Sequence, residues 1–416
     1  MCISKRWPVL VCLLAMAVSA CAPAATPTPI VVEKEKIVKE TQVVLVTPTP
    51  VPPTPIPALP DEIRIGVYMP MTGGTAAFGE MQWKAIEFAA TQRPSVLGRP
   101  VKLILEDNRS DKSDAALAVA RLIEVDNAHA IIGTPSSSLA IAGGEVSEKA
   151  GMPVLGTTCT NPLVTQGRKY YFRICYVDTF QGPVMARYAV NNLGAKTVAI
   201  ITDISNDGPM GAAIYFREEF IKLTGDPMSV LAMLSIQSGE RDFSAQLNTI
   251  KAMDPDVVFV PSMYAEGAAL CGQAFKLGLL PDTPILGQDS WDVPAMLEIA
   301  GAQAMEGVAF STMYHPDAFT HALAQQFNTD WKQLTGEFPG KDASGAYDAY
   351  YCMLDAIERA GSVDPEAITK ALSETKDFMG VTGSITMDAD HNARKACPIV
   401  GFRNGQKVLL DIVQPW

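Results

Sequence analysis

Several motifs of catalysis and cofactor binding are missing from this sequence. Histidine occurs only four times, and no two histidines have the HxxxH spacing of a zinc-binding helix. No two of the 31 glycines are separated by a single residue, so the GxG of dinucleotide-binding loops is absent. GxSxG, HExxH and CxxC are absent as well. These absences argue against dinucleotide-dependent, zinc-peptidase, serine-hydrolase and thioredoxin-like functions.

Positive charge is also scarce. The chain has 33 Lys and Arg against 45 Asp and Glu, a formal charge of -12, which argues against binding to nucleic acid or to anionic lipid by charge. The segment Gly336 to Asp342 approaches a phosphate-binding loop, but it is one residue too short and lacks the Ser or Thr that would hold magnesium. With 48% hydrophobic and 19% charged residues, the composition is that of a globular protein, and 416 residues predict two or three domains.

The amino terminus predicts export. Lys5 and Arg6 precede an apolar stretch from Val9 to Val18, so residues 1–20 are predicted to be a signal peptide. That stretch is too short for a bilayer, which needs about 20 apolar residues. It leads into Cys21, and the preceding Val, Ser and Ala resemble the bacterial lipobox, in which the cysteine is lipidated. The alternative is a plain secretory signal followed by an incidental cysteine.

Residues 21–60 are predicted to be a lipid-anchored tether. Residues 22–60 contain ten prolines, no glycine and no aromatic residue, and two Pro/Thr tracts enclose a charged Val/Glu/Lys segment. Such a composition favours an extended, semi-rigid spacer. The folded part is therefore expected to run from Asp61 to Trp416.

Strand and helix patterns alternate along this folded part. A strand at 63–68 precedes a helix at 76–91, a strand at 101–105 precedes a helix at 111–126, and the alternation returns from 197 to 277. Such alternation indicates βαβ units with parallel sheets, an α/β fold. Near-continuous apolar strands such as 198–201 fit strands that are buried on both faces.

Three turns after predicted strands are rich in glycine and hydroxyl groups. They cover residues 71–79, 133–138 and 156–162. In open α/β sheets, ligands bind outside the carboxyl ends of the strands, where backbone N–H groups at helix starts attract a carboxylate. Each turn alone is better explained by helix capping, but three on successive strands favour a ligand site.

Six motifs in order resemble the type I periplasmic binding proteins of the leucine/isoleucine/valine-binding class. They are Gly73 and Gly79 with Phe78, Ser136 to Ser138, Thr158 to Pro162, Phe172 and Arg173 with Asp178 and Gln181, Arg241 to Ser244, and Leu286 to Asp292. The resemblance implies two Rossmann-like lobes with parallel-sheet cores and a three-crossover hinge near Asp178, Thr312 and Thr386. Lobe 1 would comprise 61–178 and 313–386, and lobe 2 would comprise 179–312 and 387–416.

The resemblance also implies a ligand site between the lobes. The carboxylate of an amino acid would meet Ser137, Thr160 and nearby N–H groups, and Phe78 would pack on the ligand side chain. Tyr264 and Asp289 would meet the ligand ammonium from the second lobe. The full predicted set is Phe78, Ser137, Ser138, Thr158, Cys159, Thr160, Tyr264 and Asp289. The chain departs from its relatives at Asn206 to Pro209, where a second-lobe aromatic or hydroxyl contact is expected to be missing.

Five cysteines remain in the predicted folded part. They are Cys159, Cys175, Cys271, Cys352 and Cys397. A bridge between Cys159 and Cys175 is one alternative, and free thiols are the other, since sequence does not determine connectivity. No histidine lies near Cys159 in any motif, which argues against a cysteine nucleophile.

The leading hypothesis is a non-enzymatic solute-binding protein that delivers a branched-chain amino acid, or a related amide or zwitterion, to an ABC permease. The protein would be a monomer anchored outside the cytoplasm by lipid on Cys21, without a metal, a cofactor or nucleic acid as partner. The alternatives are a ligand sensor for a membrane receptor and, less favoured, an extracytoplasmic hydrolase.

Overall fold

A computed structural model of the protein describes residues 59–416. The predicted signal peptide, Cys21 and nearly all of the predicted tether lie outside the described residues. No helix among the described residues combines the length and the apolar character that crossing a membrane requires.

Sixteen strands are found in the described part of the chain. They are β1 (Ile63–Met69), β2 (Ser95–Val96), β3 (Arg99–Asp107), β4 (Ala130–Ile132), β5 (Val154–Gly156), β6 (Tyr171–Arg173), β7 (Val198–Asp203), β8 (Val230–Ile236), β9 (Val257–Phe259), β10 (Ile285–Gly287), β11 (Ala309–Ser311), β12 (Phe378–Gly380), β13 (Gly383–Met387), β14 (Ala393–Arg394), β15 (Cys397–Arg403) and β16 (Gln406–Val413).

Twelve α-helices accompany the strands in residues 59–416. They are α1 (Ala76–Gln92), α2 (Lys112–Glu124), α3 (Ser137–Ala150), α4 (Asp178–Arg187), α5 (Asp207–Thr224), α6 (Ser244–Met253), α7 (Tyr264–Lys276), α8 (Pro294–Ala300), α9 (Ala302–Met305), α10 (Ala322–Thr335), α11 (Lys341–Ala360) and α12 (Pro365–Ser373). A short 3₁₀ helix, Asp289–Trp291, follows β10.

The predicted α/β class is confirmed by two separate sheets. The first has the order β2-β3-β1-β4-β5-β6, and its strands are parallel except for the β2–β3 hairpin. The second has the order β16-β15-β11-β10-β9-β7-β8, with parallel strands except for β15 and β16 at one edge. The predicted first strand and first helix agree with β1 and α1 to within one residue at each end.

Local sequence explains why these elements form. The helix α2 begins where the Asp111 side chain accepts hydrogen bonds from the N–H groups of Ser113 (2.7 Å) and Asp114 (3.1 Å). Its buried residues are Ala115, Ala118, Val119 and Leu122, which is the spacing of one helix face. The strand β7 is buried throughout, because helices cover both faces of a parallel sheet.

The chain passes between the two sheets three times. The first connection joins β6 to α4, and the second joins β11 to α10. The third lies between β14 and β15. His391 is still attached to the first sheet, because its carbonyl accepts the N–H of Arg173 in β6 (3.0 Å), and the chain enters the second sheet at Cys397. Thr386, the residue predicted for this crossover, lies in β13 and pairs with Arg394. The lobe boundaries given above stay predictions.

Candidate ligand-binding site

The loops that follow the parallel strands of both sheets meet at one cavity. The helices α3, α5 and α7 begin beside it, with Ser137 from the first sheet's side and Gly208 and Met263 from the second. In this closed arrangement the cavity has a volume of only about 20 Å³. Because that is room for about one water, a solute can enter only if the two sides separate.

Five of the eight predicted site residues line this cavity. They are Phe78, Ser137, Thr158, Thr160 and Asp289. Tyr264 lies behind them, with its ring in edge contact with Phe78 at a centroid distance of 5.2 Å. Cys159 is fully buried beneath the loop, and Ser138 contacts Asp207 instead of lining the cavity. The structure therefore collects the predicted residues in one region, and their roles toward a ligand stay predictions.

One wall of the cavity offers hydrogen-bond donors. Ser137 is the first residue of α3, and its hydroxyl accepts the Asn161 N–H (3.1 Å), which leaves the hydroxyl proton free to donate. The helix α5 begins directly opposite, where the Asn206 side chain accepts the Gly208 N–H (3.1 Å). Two helix starts that face each other carry partial positive charge, so this wall is suited to a carboxylate.

The segment Asn206 to Pro209, where the sequence departs from its relatives, joins the two sides of the cleft. The Ser138 hydroxyl donates to the Asp207 carboxylate (2.7 Å) and accepts the Asp207 N–H (3.0 Å). Lys112 lies 3.3 Å from the same carboxylate. The segment thus provides polar contacts across the cleft, while Gly208 and Pro209 line the cavity.

The lining also contains a buried carboxylate. Asp289 is 4% exposed, and its Oδ1 accepts a hydrogen bond from Gln181 Nε2 (2.8 Å). Burial raises the pKa of Asp289. The positive charge of Lys341, whose Nζ lies 3.6 Å from Oδ2, lowers the pKa but does not outweigh burial. Within residues 59–416 no backbone N–H donates to the Asp289 side chain, so this residue does not cap the 3₁₀ helix that it begins.

Lys341 is a charged cavity residue that the sequence analysis did not include in the predicted site. Its ammonium lies 4.7 Å from the centroid of the Phe78 ring and 3.1 Å from the Asp342 carboxylate. Burial alone would lower the pKa of Lys341, but the negative charges of Asp342 and Asp289 outweigh burial and raise that pKa. The only sequence signal was the incomplete phosphate-loop motif, which places a lysine at a helix start without saying what it faces.

Asp292 links the start of α11 to the second sheet. Its carboxylate accepts the Lys341 backbone N–H (3.1 Å) and the Thr312 hydroxyl (2.5 Å), and it pairs with Lys407 (2.5 Å). Burial raises the pKa of Asp292, but Lys407 outweighs burial and the net pKa is lowered. A larger cavity of about 390 Å³ lies beside this link, lined by aromatic residues that include Trp291 and Trp331.

Asp178 predicts a pH dependence of stability. Burial raises the pKa of this carboxyl group, which lies at the first crossover, to about 8. The Thr160 hydroxyl, a hydrogen-bond donor, opposes that shift, and the negative charge of Asp289 adds to it. The folded protein therefore holds a proton on Asp178 where the unfolded chain is ionised, so stability should fall as pH rises from about 4 to about 8. Asp178→Asn should flatten that fall, as measured by urea unfolding at several pH values. An equal slope in both proteins would contradict the assignment.

The cysteines and the possible metal ligands add no chemistry to this site. All five described cysteines are buried and free, and the Cys175 thiol donates to the Cys159 carbonyl at 3.4 Å, so the bridge considered above is not formed. Among the described residues, no group of His, Cys, Asp and Glu side chains is arranged to hold a metal ion.

Comparisons with known proteins agree with this architecture. A family described as "Periplasmic binding protein" matches residues 62–407. An amino acid binding protein of Pseudomonas aeruginosa is 34% identical over 222 residues, which cover 52% of this chain and 58% of that protein. The Leu/Ile/Val-binding protein homolog 3 of Brucella melitensis is 28% identical over 331 residues, which cover 78% of this chain and 87% of that protein. The Leu/Ile/Val-binding protein BraC3 of Rhizobium johnstonii is 27% identical over 336 residues, covering 78% and 87%.

Solved structures give the same result. The leucine-binding protein LivK of Thermotoga maritima has a TM-score of 0.81 and 39% identity, covering 85% of this chain and 99% of that one. The substrate-binding protein LivJ of Streptococcus pneumoniae, in complex with isoleucine, has a TM-score of 0.79 and 28% identity, covering 85% and 100%. The chain therefore belongs to the type I periplasmic binding proteins, in the class that includes the leucine/isoleucine/valine-binding proteins.

Proposed function

We propose that this protein captures a small amino-acid-like solute between its two lobes and delivers it to an ABC permease. The observation that carries the proposal is the polarity of the cavity, whose lining combines the starts of α3 and α5 with the buried carboxylate of Asp289. A zwitterion has the matching polarity. The relatives support the proposal, since their names describe binding of leucine, isoleucine and valine and a branched-chain amino acid transporter.

The proposed ligand lies with its carboxylate at Ser137 and Thr160 and its ammonium at Asp289. Charge-assisted hydrogen bonds at both poles are about twice as strong as neutral ones, so they would determine the orientation. Phe78, held from behind by Tyr264, packs on the ligand side chain. Thr158 completes the wall, Cys159 supports the loop from below, and Ser138 joins the lobes through Asp207.

The proposed location is the outer face of the cell membrane. The family is extracytoplasmic, and a lipid on Cys21 with the Pro/Thr-rich tether would hold residues 61–416 near the permease while letting them turn. Each buried methylene of an acyl chain contributes about 0.8 kcal/mol to such anchoring. The proposal describes a monomer that carries its ligand without a cofactor.

Closure around the ligand provides the test. Contacts on both lobes can shift an open–closed equilibrium only through a higher affinity for the closed form. We therefore expect calorimetry against the twenty amino acids to identify at least one ligand, and small-angle scattering to show a smaller radius of gyration at saturation with it. If none of the twenty amino acids binds, the proposed function is contradicted. If a ligand binds but the radius of gyration does not change, the closure mechanism is contradicted.

A further inference from the structure

The part of the cavity beside Phe78 is charged rather than apolar. The ammonium of Lys341 lies 4.7 Å from the Phe78 ring centroid, and its carboxylate partners are Asp342 at 3.1 Å and Asp289 at 3.6 Å. All three charged side chains are at least nine-tenths buried. If the ligand side chain packs on Phe78, its far end therefore meets an ammonium group and not a hydrocarbon wall.

A buried acceptor at this cavity has no donor in the described part of the chain. Gln288 lines the cavity and is 4% exposed, and its Oε1 has no hydrogen-bond donor among residues 59–416, while its Nε2 donates to Ser290 (3.1 Å). Asp342 does not line this cavity; it holds Lys341 from behind and accepts a hydrogen bond from Gln82 (2.6 Å). A ligand that brings an N–H group would satisfy the Gln288 acceptor, which a branched hydrocarbon would leave buried without a partner, and that is costly.

The charges show which polar group fits best. Burial raises the pKa of both Asp289 and Asp342, and when both are ionised they leave one negative charge in excess over that of Lys341. Asp292 and Lys407 pair with each other, and burial keeps a proton on Asp178 at neutral pH. The ligand ammonium would bring the cluster to neutrality. A carboxamide at the far end preserves that neutrality, whereas a second carboxylate restores one buried negative charge.

We infer that the ligand is an amino acid whose side chain ends in a carboxamide, and not a branched aliphatic one. A carboxamide supplies an acceptor for the Lys341 ammonium and an N–H donor for the Gln288 Oε1. The inference rests on the proposed function, because it assumes that a zwitterion lies with its side chain against Phe78. It assigns Lys341 as the residue that selects a polar over an apolar ligand side chain.

Three nearly isosteric amino acids test the inference on the unaltered full-length protein. Leucine, asparagine and aspartate share a side-chain shape and differ at its end, so calorimetry compares an apolar, an amide and a charged group directly. We expect asparagine to bind at least about tenfold more tightly than leucine, with aspartate weaker than asparagine. Preference for the longer glutamine over methionine, an apolar side chain of similar length, also supports the inference.

A matched pair of variants tests Lys341 itself. Lys341→Met should reduce the preference for the amide over leucine by at least about tenfold, while Lys370→Met on exposed α12 should leave it unchanged. If Lys341→Met does not fold, the comparison of leucine, asparagine and aspartate on the unaltered protein still tests the inference. Binding of leucine as tightly as the amides overturns the inference and leaves the function standing. If none of the twenty amino acids binds, the proposed function fails, and the inference fails with it.

Discussion

Replacing Asp348 with alanine should lower the free energy of unfolding by about 3–5 kcal/mol, the cost of removing one partner from a buried charged network. Asp348 lies in α11, is 1% exposed, and accepts the N–H groups of Val381 (2.7 Å) and Thr382 (3.0 Å) as well as the Thr382 hydroxyl. Its loss would leave two buried N–H groups without an acceptor. Lys395, buried beside Thr382, would lose its nearest negative charge.

Urea unfolding monitored by circular dichroism measures this effect. Burial raises the pKa of Asp348 and lowers that of Lys395, and the charge of each residue opposes the shift of the other. Removing Asp348 therefore leaves the burial of Lys395 without that compensation. Asp355→Ala is the matched control, because this aspartate lies two turns further along α11 and makes only a surface pair with Arg359 (2.7 Å). The control should cost less than about 1 kcal/mol. Equal losses in both variants would show that Asp348 has no special role.

Periodicity predicted most of the fold because burial imposes it directly. The apolar positions of α2 repeat at helical spacing, and β7 is a continuous apolar run, so each element is visible in its own sequence. The three loops after β1, β4 and β5 were recognised for a similar reason: glycine and hydroxyl residues are concentrated where strands end and helices begin. Features of this kind depend only on residues that are close together along the chain, so the sequence alone predicts them.

Contacts between distant segments were not predictable in the same way. Lys341 and Asp292 read as a helix start and a turn, and only the tertiary fold brings them to Asp289 and Lys407. The third crossover shows the same limit. The residues between β13 and β15 carry no hydrophobic period, and their position is set by the His391 ring, which stacks on Phe172 at a centroid distance of 4.0 Å.

Asp289→Asn should weaken binding of the tightest amino-acid ligand by about 2–5 kcal/mol, because it removes one partner from a desolvated charge pair. The asparagine keeps the shape and can still accept the hydrogen bond from Gln181. What it loses is the negative charge that meets the ligand ammonium. Lys341 retains Asp342 at 3.1 Å, so the unliganded protein should melt at nearly the same temperature.

Two measurements separate this role from a structural one. Calorimetry should show at least about tenfold weaker binding, while the unliganded melting temperature changes little. Asp282→Asn, an exposed change on the same lobe, should alter neither quantity. If Asp289 acted only as a helix cap, affinity would stay intact, because asparagine caps a helix about as well as aspartate. That result would also conflict with the hydrogen bonds of Asp289, which come from the Gln181 side chain and not from the backbone. A ligand without an amino group would then fit the site better.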